Sequence, residues 1–551
     1  MLEQPGLKFA FRCGDDILTA TASRDEVEFT CEYSENGYRL WVLAHKDVTP
    51  LICELRYKYA YPAGSTVYAG GYQSWTHSRE YGANEVQKGL RLPVRFGAAR
   101  KYAAAFGDYD FATYSMREGD CHSFYYTYVR DKDELTFAGS LDESRGYTVF
   151  YHNRDGNQLK VVKDVEGLTL RAGERYKLFD LYFCKGSRNE VFDLYFSKLG
   201  IDKPREKKMC GYTSWYNLFG RIDENSVMRD LSGLEKADIG ATVFQIDDGW
   251  QSAVGDWKEI REDKFPSGMK KICDEIHARG FKAGLWLAPF LCAKDSKIAK
   301  ERPDWLVKRK GRPVIGNVGW GGAYVLDLTL DEVKDYLKEV FDKVLGEWGF
   351  DMVKLDFLYA AAMYPQGGKT RGELMTEAMK FSRACVGEKL LLGCGVPLFS
   401  AFGTCDFCRV GSDVDLSYKE RIFARLTNNE IVSTYNAMTS SAFRQHLDGR
   451  AFVCDPDVFF LRKDNLKFNE EQKKLLATFN SIVGGVLFVS DNAGEYGEVE
   501  RKLAKDCFAR EVCVKDVRYA AKDVIEISYA EDGKDKTLRF NVRKGKILNA
   551  Q

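Results

Sequence analysis

Val333-Lys-Asp-Tyr-Leu-Lys-Glu-Val-Phe-Asp-Lys-Val-Leu345, followed a few residues later by Met352-Val-Lys-Leu-Asp-Phe-Leu358, is the stretch that decides the fold. In the first piece Val333, Leu337, Val340, Phe341 and Val344 recur at helical spacing. The second is a short apolar run broken only by Lys354 and Asp356. A helix feeding a strand is half of a βαβ unit, and such units build parallel sheets. The same rhythm begins near Met209. It predicts strands at Cys210–Trp215, Thr242–Asp247, Ala283–Pro289, Met352–Leu358, Leu390–Val396, Phe407–Val410, Phe452–Phe459 and Gly485–Val489. Eight such strands over roughly 280 residues predict a closed (β/α)8 TIM barrel of ordinary size.

The flanks read differently. Residues 1–200 carry short runs rich in Thr, Val, Tyr and Phe, such as Thr66–Tyr68, Phe124–Val129 and Leu178–Phe183, with turn signals such as Asn36-Gly37. They predict an N-terminal β-sandwich. Beyond the barrel, Val524–Tyr529 and Thr537–Val542 flank Asp532-Gly533, a hairpin signature. The expected organisation is a multidomain α/β and β chain: β-sandwich at 1–200, catalytic barrel at 201–495, and a small C-terminal β-sandwich domain at 496–551.

Composition narrows the function. The 551 residues hold 81 basic and 81 acidic side chains, so the chain is formally neutral. It has no general electrostatic reason to seek nucleic acid or an anionic membrane. The run Ala283–Ala293 is too short to span a bilayer, and Met1–Arg12 lacks a basic stretch followed by an apolar one. Fifteen scattered cysteines fit reduced thiols better than a disulfide framework. The expectation is a cytoplasmic enzyme with a small neutral substrate. The lone pair Cys405-Asp-Phe-Cys408 is weak grounds for redox or metal chemistry.

In a TIM barrel the chemistry sits at the C-terminal ends of the strands. There the sequence places Asp247 and Asp248, Trp286, Lys354 and Asp356, Cys394, Arg409 and Asp413, Asp455 and Asp457, and Asp491. A single Asp after a strand is ordinarily a helix cap or turn residue. Lys354 and Asp356 resist that reading, because alternation puts both on one face of an otherwise apolar strand. Burying that pair for packing alone would be costly. The six histidines are scattered, with only His446 near a barrel strand, so a histidine metal site or Ser-His-Asp triad finds no support. No Gly-rich phosphate loop opens a helix. Carboxylates, Arg, Lys and Trp at one mouth suit glycoside hydrolysis, which needs one ionised and one protonated carboxyl group beside the glycosidic bond.

At these strand ends the chain resembles the melibiases, the α-galactosidases of glycoside hydrolase family 36. The resemblance runs through Gly71-Tyr-Gln-Ser-Trp75, Gly211-Tyr-Thr-Ser-Trp-Tyr216, Gln245-Ile-Asp-Asp-Gly-Trp250, Gly284-Leu-Trp-Leu-Ala-Pro289, Lys354-Leu-Asp-Phe357, Leu392-Gly-Cys-Gly395 and Arg409-Val-Gly-Ser-Asp413. It implies a retaining α-galactosidase without metal or organic cofactor. Asp356 would be the nucleophile and Asp413 the acid/base, with their carboxyl groups about 5–5.5 Å apart. Asp247 and Asp248 would accept hydrogen bonds from the 4- and 6-hydroxyls. Lys354 and Arg409 would be further hydroxyl ligands, with Cys394 lining the 2-position. Trp215 and Trp286 would wall the ring, Tyr216 would be a further substrate-binding residue, and Trp75 would close over the site from an N-terminal loop. Where the family's acid/base motif often has Pro, this chain has Ser412, and Asp415 competes for the role.

The resemblance leaves alternatives standing. An α-N-acetylgalactosaminidase, a raffinose-synthase-like galactosyl transferase and a non-catalytic carbohydrate-binding relative share the fold. Linkage preference and the oligomeric state, a possible homo-oligomer, are not readable from the residues.

Overall fold

A computed structural model describes residues 4–90, 106–426, 430 and 432–548. Its centre is an eight-stranded parallel barrel. The strands are β1 Met209–Thr213, β2 Val243–Ile246, β3 Lys282–Leu287, β4 Met352–Leu355, β5 Leu390–Gly393, β6 Phe407–Arg409, β7 Val453–Asp455 and β8 Val486–Val489. From β1 to β7 each strand pairs in parallel with the next, and β8 pairs in parallel with β1. Between β7 and β8 a single parallel bridge, Phe459 to Val489, completes the ring.

All eight expected strands are present, but three stop three or more residues short of their expected ends, at Leu355, Gly393 and Asp455. The cause is local. Just past those ends, Phe357 (φ 55°), Gly395 (φ 59°) and Asp457 (φ 78°) are left-handed, which no ladder accommodates. Residues that read as strand continuations are therefore turns at the barrel rim. The expected helix after Val333 is present as Asp331–Phe341, extended by a wider turn over Asp342–Glu347.

The N-terminal region is two packed antiparallel sheets of six and seven strands. The expected single strand Phe124–Val129 is two: Cys121–Phe124 edges the six-stranded sheet and Tyr126–Asp131 lies in the seven-stranded one. Tyr125, at φ 68°, turns the chain from one sheet to the other. Phe9, Leu40, Val42, Phe150 and Phe179 form a core between the sheets. Tyr68, Tyr126, Tyr128 and Phe137 instead belong to the barrel's core. There His446 stacks on Phe192 at 3.8 Å and meets the Tyr126 hydroxyl at 2.7 Å. Burial holds that imidazole's pKa well below its ordinary value, so it is a neutral packing residue.

After β8, helix Glu498–Ala509, which begins just past residue 495, packs against the barrel helix Glu470–Val483. The C-terminal β region is one four-stranded antiparallel sheet where a small sandwich was expected. Its hairpin turns at Asp532 (φ 52°) and Gly533 (φ 72°). A second sheet is unnecessary because its apolar face packs on the barrel, with Phe540 against Phe479 at 5.2 Å. Arg130 of the N-terminal sheet also reaches Asp516 at 3.1 Å. No helix among the described residues is long and apolar enough to cross a membrane. The cysteines are free, and burial pushes the Cys405 thiol up to about 12, unsuited to a reactive thiolate.

Candidate active site

The turns at the strand ends gather the expected carboxylates. On one side, Lys354 of β4 donates to Asp247 Oδ2 at 2.8 Å, an oxygen that also accepts from Gln245 Nε2 at 2.8 Å. Burial disfavours the ammonium, but Asp247 and Asp356 outweigh it and hold the Lys354 pKa above the lysine range. The next residue on that face, Asp356, accepts from Trp286 Nε1 at 3.0 Å through Oδ2 and from the Phe357 amide at 2.8 Å through Oδ1. Trp286 was expected as a wall; it is also a hydrogen-bond donor to Asp356.

Asp248 accepts from Gln251 Nε2 at 2.6 Å and from Trp320 Nε1 at 2.8 Å. Burial raises its pKa, with Asp247 and Asp356 adding to the shift and its two donors opposing it. Trp320 was missed in the sequence. It sits at φ 54° before Gly321 and Gly322, in the turn between the short strands Ile315–Asn317 and Ala323–Val325. Its ring lies 5.2 Å from Phe357 and 6.1 Å from Trp286. No periodicity marks such a turn; the one available signal was a Trp flanked by glycines.

Across the mouth, Arg409 of β6 is the hub of an acidic cluster. It donates through Nη1 to Asp413 Oδ1 at 2.7 Å and through Nε to Asp455 Oδ2 at 3.0 Å, and Nη2 lies 2.8 Å from Asp457 Oδ1. Tyr216 donates to Asp457, as does the Val414 amide at 2.8 Å. One guanidinium cannot keep three neighbouring carboxyl groups ionised. Burial, with Asp413 and Asp455 beside it, pushes Asp457 up to about 7. The Asp413 pKa is also raised: burial leads, Asp356 and Asp247 add to it, and Arg409 and Lys354 only partly offset it. The pairing Arg409–Asp413 was expected to neighbour substrate, but a role for Asp457 was not anticipated.

The other expected residues separate. Trp75 and Cys394 share a cluster with Phe106 and Tyr359, and the Trp75 ring packs edge-on to Phe357 at 5.2 Å. Burial, then Asp356, drives the Cys394 thiol far above its ordinary pKa. Trp215 is half-buried and packs on Phe219 at 5.2 Å. Asp415, the rival acid, is taken up by Arg421 Nε at 2.7 Å and the Ser417 amide at 3.2 Å. Asp491 is spent on the Leu461 and Arg462 amides at 2.6 and 3.0 Å.

A barrel with carboxyl groups converging on one mouth, unequally supplied with hydrogen-bond donors and cations, suits glycoside hydrolysis. Comparison with known proteins shows what the chain is similar to. A family model described as Melibiase matches residues 213–377. Alpha-galactosidase Mel36A of Lactobacillus acidophilus is 35% identical over 150 residues, 26% of this chain and 20% of that protein. The Escherichia coli alpha-galactosidase is 32% identical over 150 residues. These alignments span about a fifth of the curated relatives' length. The Thermus thermophilus alpha-galactosidase TtGalA, solved with p-nitrophenyl α-D-galactopyranoside, is 27% identical, covers 96% of this chain and 98% of its own, and superposes with a TM-score of 0.72. The Geobacillus stearothermophilus enzyme AgaA, at 12% identity and a TM-score of 0.62, shares the fold. Over residues 213–377 the chain is similar to the melibiases, and along nearly its whole length it has the fold of the Thermus thermophilus alpha-galactosidase.

Proposed function

We propose that the chain is a retaining α-galactosidase that removes terminal α-linked galactose from small oligosaccharides. The observation that carries this reading is the unequal preparation of two carboxyl groups at one mouth. Asp356 accepts an N–H on each oxygen, while Asp413 has its pKa raised mainly by burial. Asp356 attacks the anomeric carbon as Asp413 protonates the departing oxygen, giving a covalent galactosyl-enzyme. Asp413, now ionised, takes a proton from water, whose oxygen attacks the anomeric carbon and releases Asp356. In this reading Asp247 and Asp248 accept from the 4- and 6-hydroxyls, and Arg409 and Lys354 donate to others. Trp75, Trp286, Trp215 and Tyr216 shape the walls. Discrimination against glucose comes from leaving those buried acceptors unpaired when the 4-hydroxyl is equatorial.

Cys394 is 1% exposed beneath Trp75 and Tyr359, which argues against room for a 2-acetamido group. The location consistent with the sequence reading is cytoplasmic, the substrates then being imported galactosides such as melibiose and raffinose. The test is hydrolysis of p-nitrophenyl α-galactoside by wild type and Asp356→Ala, beside the gluco and N-acetylgalactosamine analogues. Cleavage of the galactoside alone, lost in Asp356→Ala and rescued there by azide as the β-galactosyl azide, is expected. Turnover of another sugar, or full activity in the variant, overturns the reading.

A further inference from the structure

Helix Thr434–Arg444 presents Asn436, Ser440 and Arg444 at intervals of four residues, hence on one face. All three are fully buried, and their face is turned to the N-terminal loop that carries Trp75. Asn436 Nδ2 donates to the Trp75 carbonyl at 2.9 Å. Ser440 Oγ donates to Asn436 Oδ1 at 2.5 Å and accepts from the Ser78 amide at 3.0 Å. Arg444 Nη1 donates to the Ser74 and Val410 carbonyls at 2.6 and 3.0 Å, and Nη2 to those of Gly71 and Gln73 at 3.2 and 3.0 Å.

Arg444 therefore spends a buried guanidinium on four main-chain oxygens. Burial lowers its pKa, and the foremost groups favouring its charge are Tyr68, Tyr126 and Cys408, none of them a carboxylate. Keeping a charge in that setting is expensive, and ordinary helix packing would be served better by an apolar side chain. What the expense secures is geometric. Three of the carbonyls belong to Gly71–Ser74 and the fourth, Val410, follows Arg409 directly. The guanidinium plane thus fixes the loop's position relative to the acidic cluster. On the far side of the loop, Ser74 exchanges hydrogen bonds with Val396, its amide donating at 3.0 Å and its Oγ accepting at 3.2 Å. Trp75 is held between these anchors. Its ring meets Phe357, whose amide binds Asp356, and a Cβ on Gly395 would come within 2.9 Å of Trp75 Cη2.

We propose that Asn436, Ser440 and Arg444 are positioning residues: a polar stripe that sets the Trp75 wall of the sugar pocket without touching substrate. The proposal rests on the galactoside reading only for what the pocket binds. Two measurements test it on the full-length protein. The first is hydrogen exchange of the 71–78 segment, independent of any substrate. The second is kcat and KM for p-nitrophenyl α-galactoside in Asn436→Ala, Ser440→Ala and their double variant, each with and without Trp75→Ala.

Exchange in the segment should quicken by roughly tenfold or more in the double variant. KM should rise about tenfold with kcat within about threefold, and in the Trp75→Ala background the same pair should add less than about twofold. Arg444→Met should exceed both, and the milder variants decide the matter should it fail to fold. Unchanged exchange overturns the proposal. So does a KM that does not move, or losses that multiply fully with Trp75→Ala. A wild type inert on the galactoside sinks the functional reading instead, leaving the exchange arm to decide the stripe.

Discussion

The two halves of the barrel mouth hold carboxyl groups by opposite means. On the side of β2 to β4, Asp247 has the Lys354 ammonium at 2.8 Å and Asp356 has the N–H groups of Trp286 and Phe357. On the side of β6 and β7, Asp413, Asp455 and Asp457 share the single guanidinium of Arg409. The first half supplies donors to each acid, Asp248 included, through Gln251 and Trp320. The second is short of positive charge, so protons make up the deficit, with Asp457 pushed up to about 7 and Asp413 raised. The difference teaches how one rim can prepare identical side chains unequally, in keeping with the proposed roles: the ratio of carboxyl groups to cations and donors differs across it.

The largest test of this contrast is Asp356→Asn, expected to cut kcat/KM on p-nitrophenyl α-galactoside by on the order of 10⁴-fold or more, as loss of a covalent nucleophile does. A loss under tenfold would mean the donor-rich half does not hold the nucleophile. Next comes Asp413→Ala, expected to lose roughly 10²- to 10⁴-fold, the span of a general acid. The loss should be smaller for p-nitrophenolate, a good leaving group, than for melibiose, and equal losses on both would deny Asp413 the acid's role.

Trp320→Phe removes one donor from Asp248 while keeping an aromatic side chain there. A hydrogen bond to a charged group is worth about 1.5–3 kcal/mol, so kcat/KM should fall by about tenfold or more. The loss should shrink for a substrate lacking the 6-hydroxyl, and an unchanged ratio would remove Asp248 from that contact. The smallest effect is a shift in pH dependence. Asp413 works as an acid while protonated, so kcat/KM should fall as pH rises through its raised pKa. Asp457→Asn relieves the cluster of a carboxyl group and should move that limb to lower pH. A limb that stays in place would show that the two acids do not share their protons.

Much of this was legible before any coordinates. The alternation of helix and strand around Lys354 and Asp356 announced the barrel, and barrel geometry then said where to look for Asp247, Arg409 and Asp413. Apart from the C-terminal sandwich, the readings that failed did so where backbone torsion overrode pattern. Tyr125 looks like the middle of a strand, yet its left-handed φ sends the chain to another sheet. Asp457 looks like strand, yet its φ of 78° turns it onto Arg409. Trp320 and the stripe Asn436, Ser440 and Arg444 carry no periodic signal toward the site, because their partners outside the stripe lie 34 to 373 residues away in sequence.

The sequence by itself determined the layered order of β region, barrel and β region, and the set of residues at the strand ends. These are consequences of side-chain periodicity, which is local. Only the tertiary structure decided that Trp286 binds Asp356, that Asp415 and Asp491 are occupied elsewhere, and that three acids share one arginine. Proton placement depends on burial and on charges brought together across the barrel, and neither exists until the chain has closed.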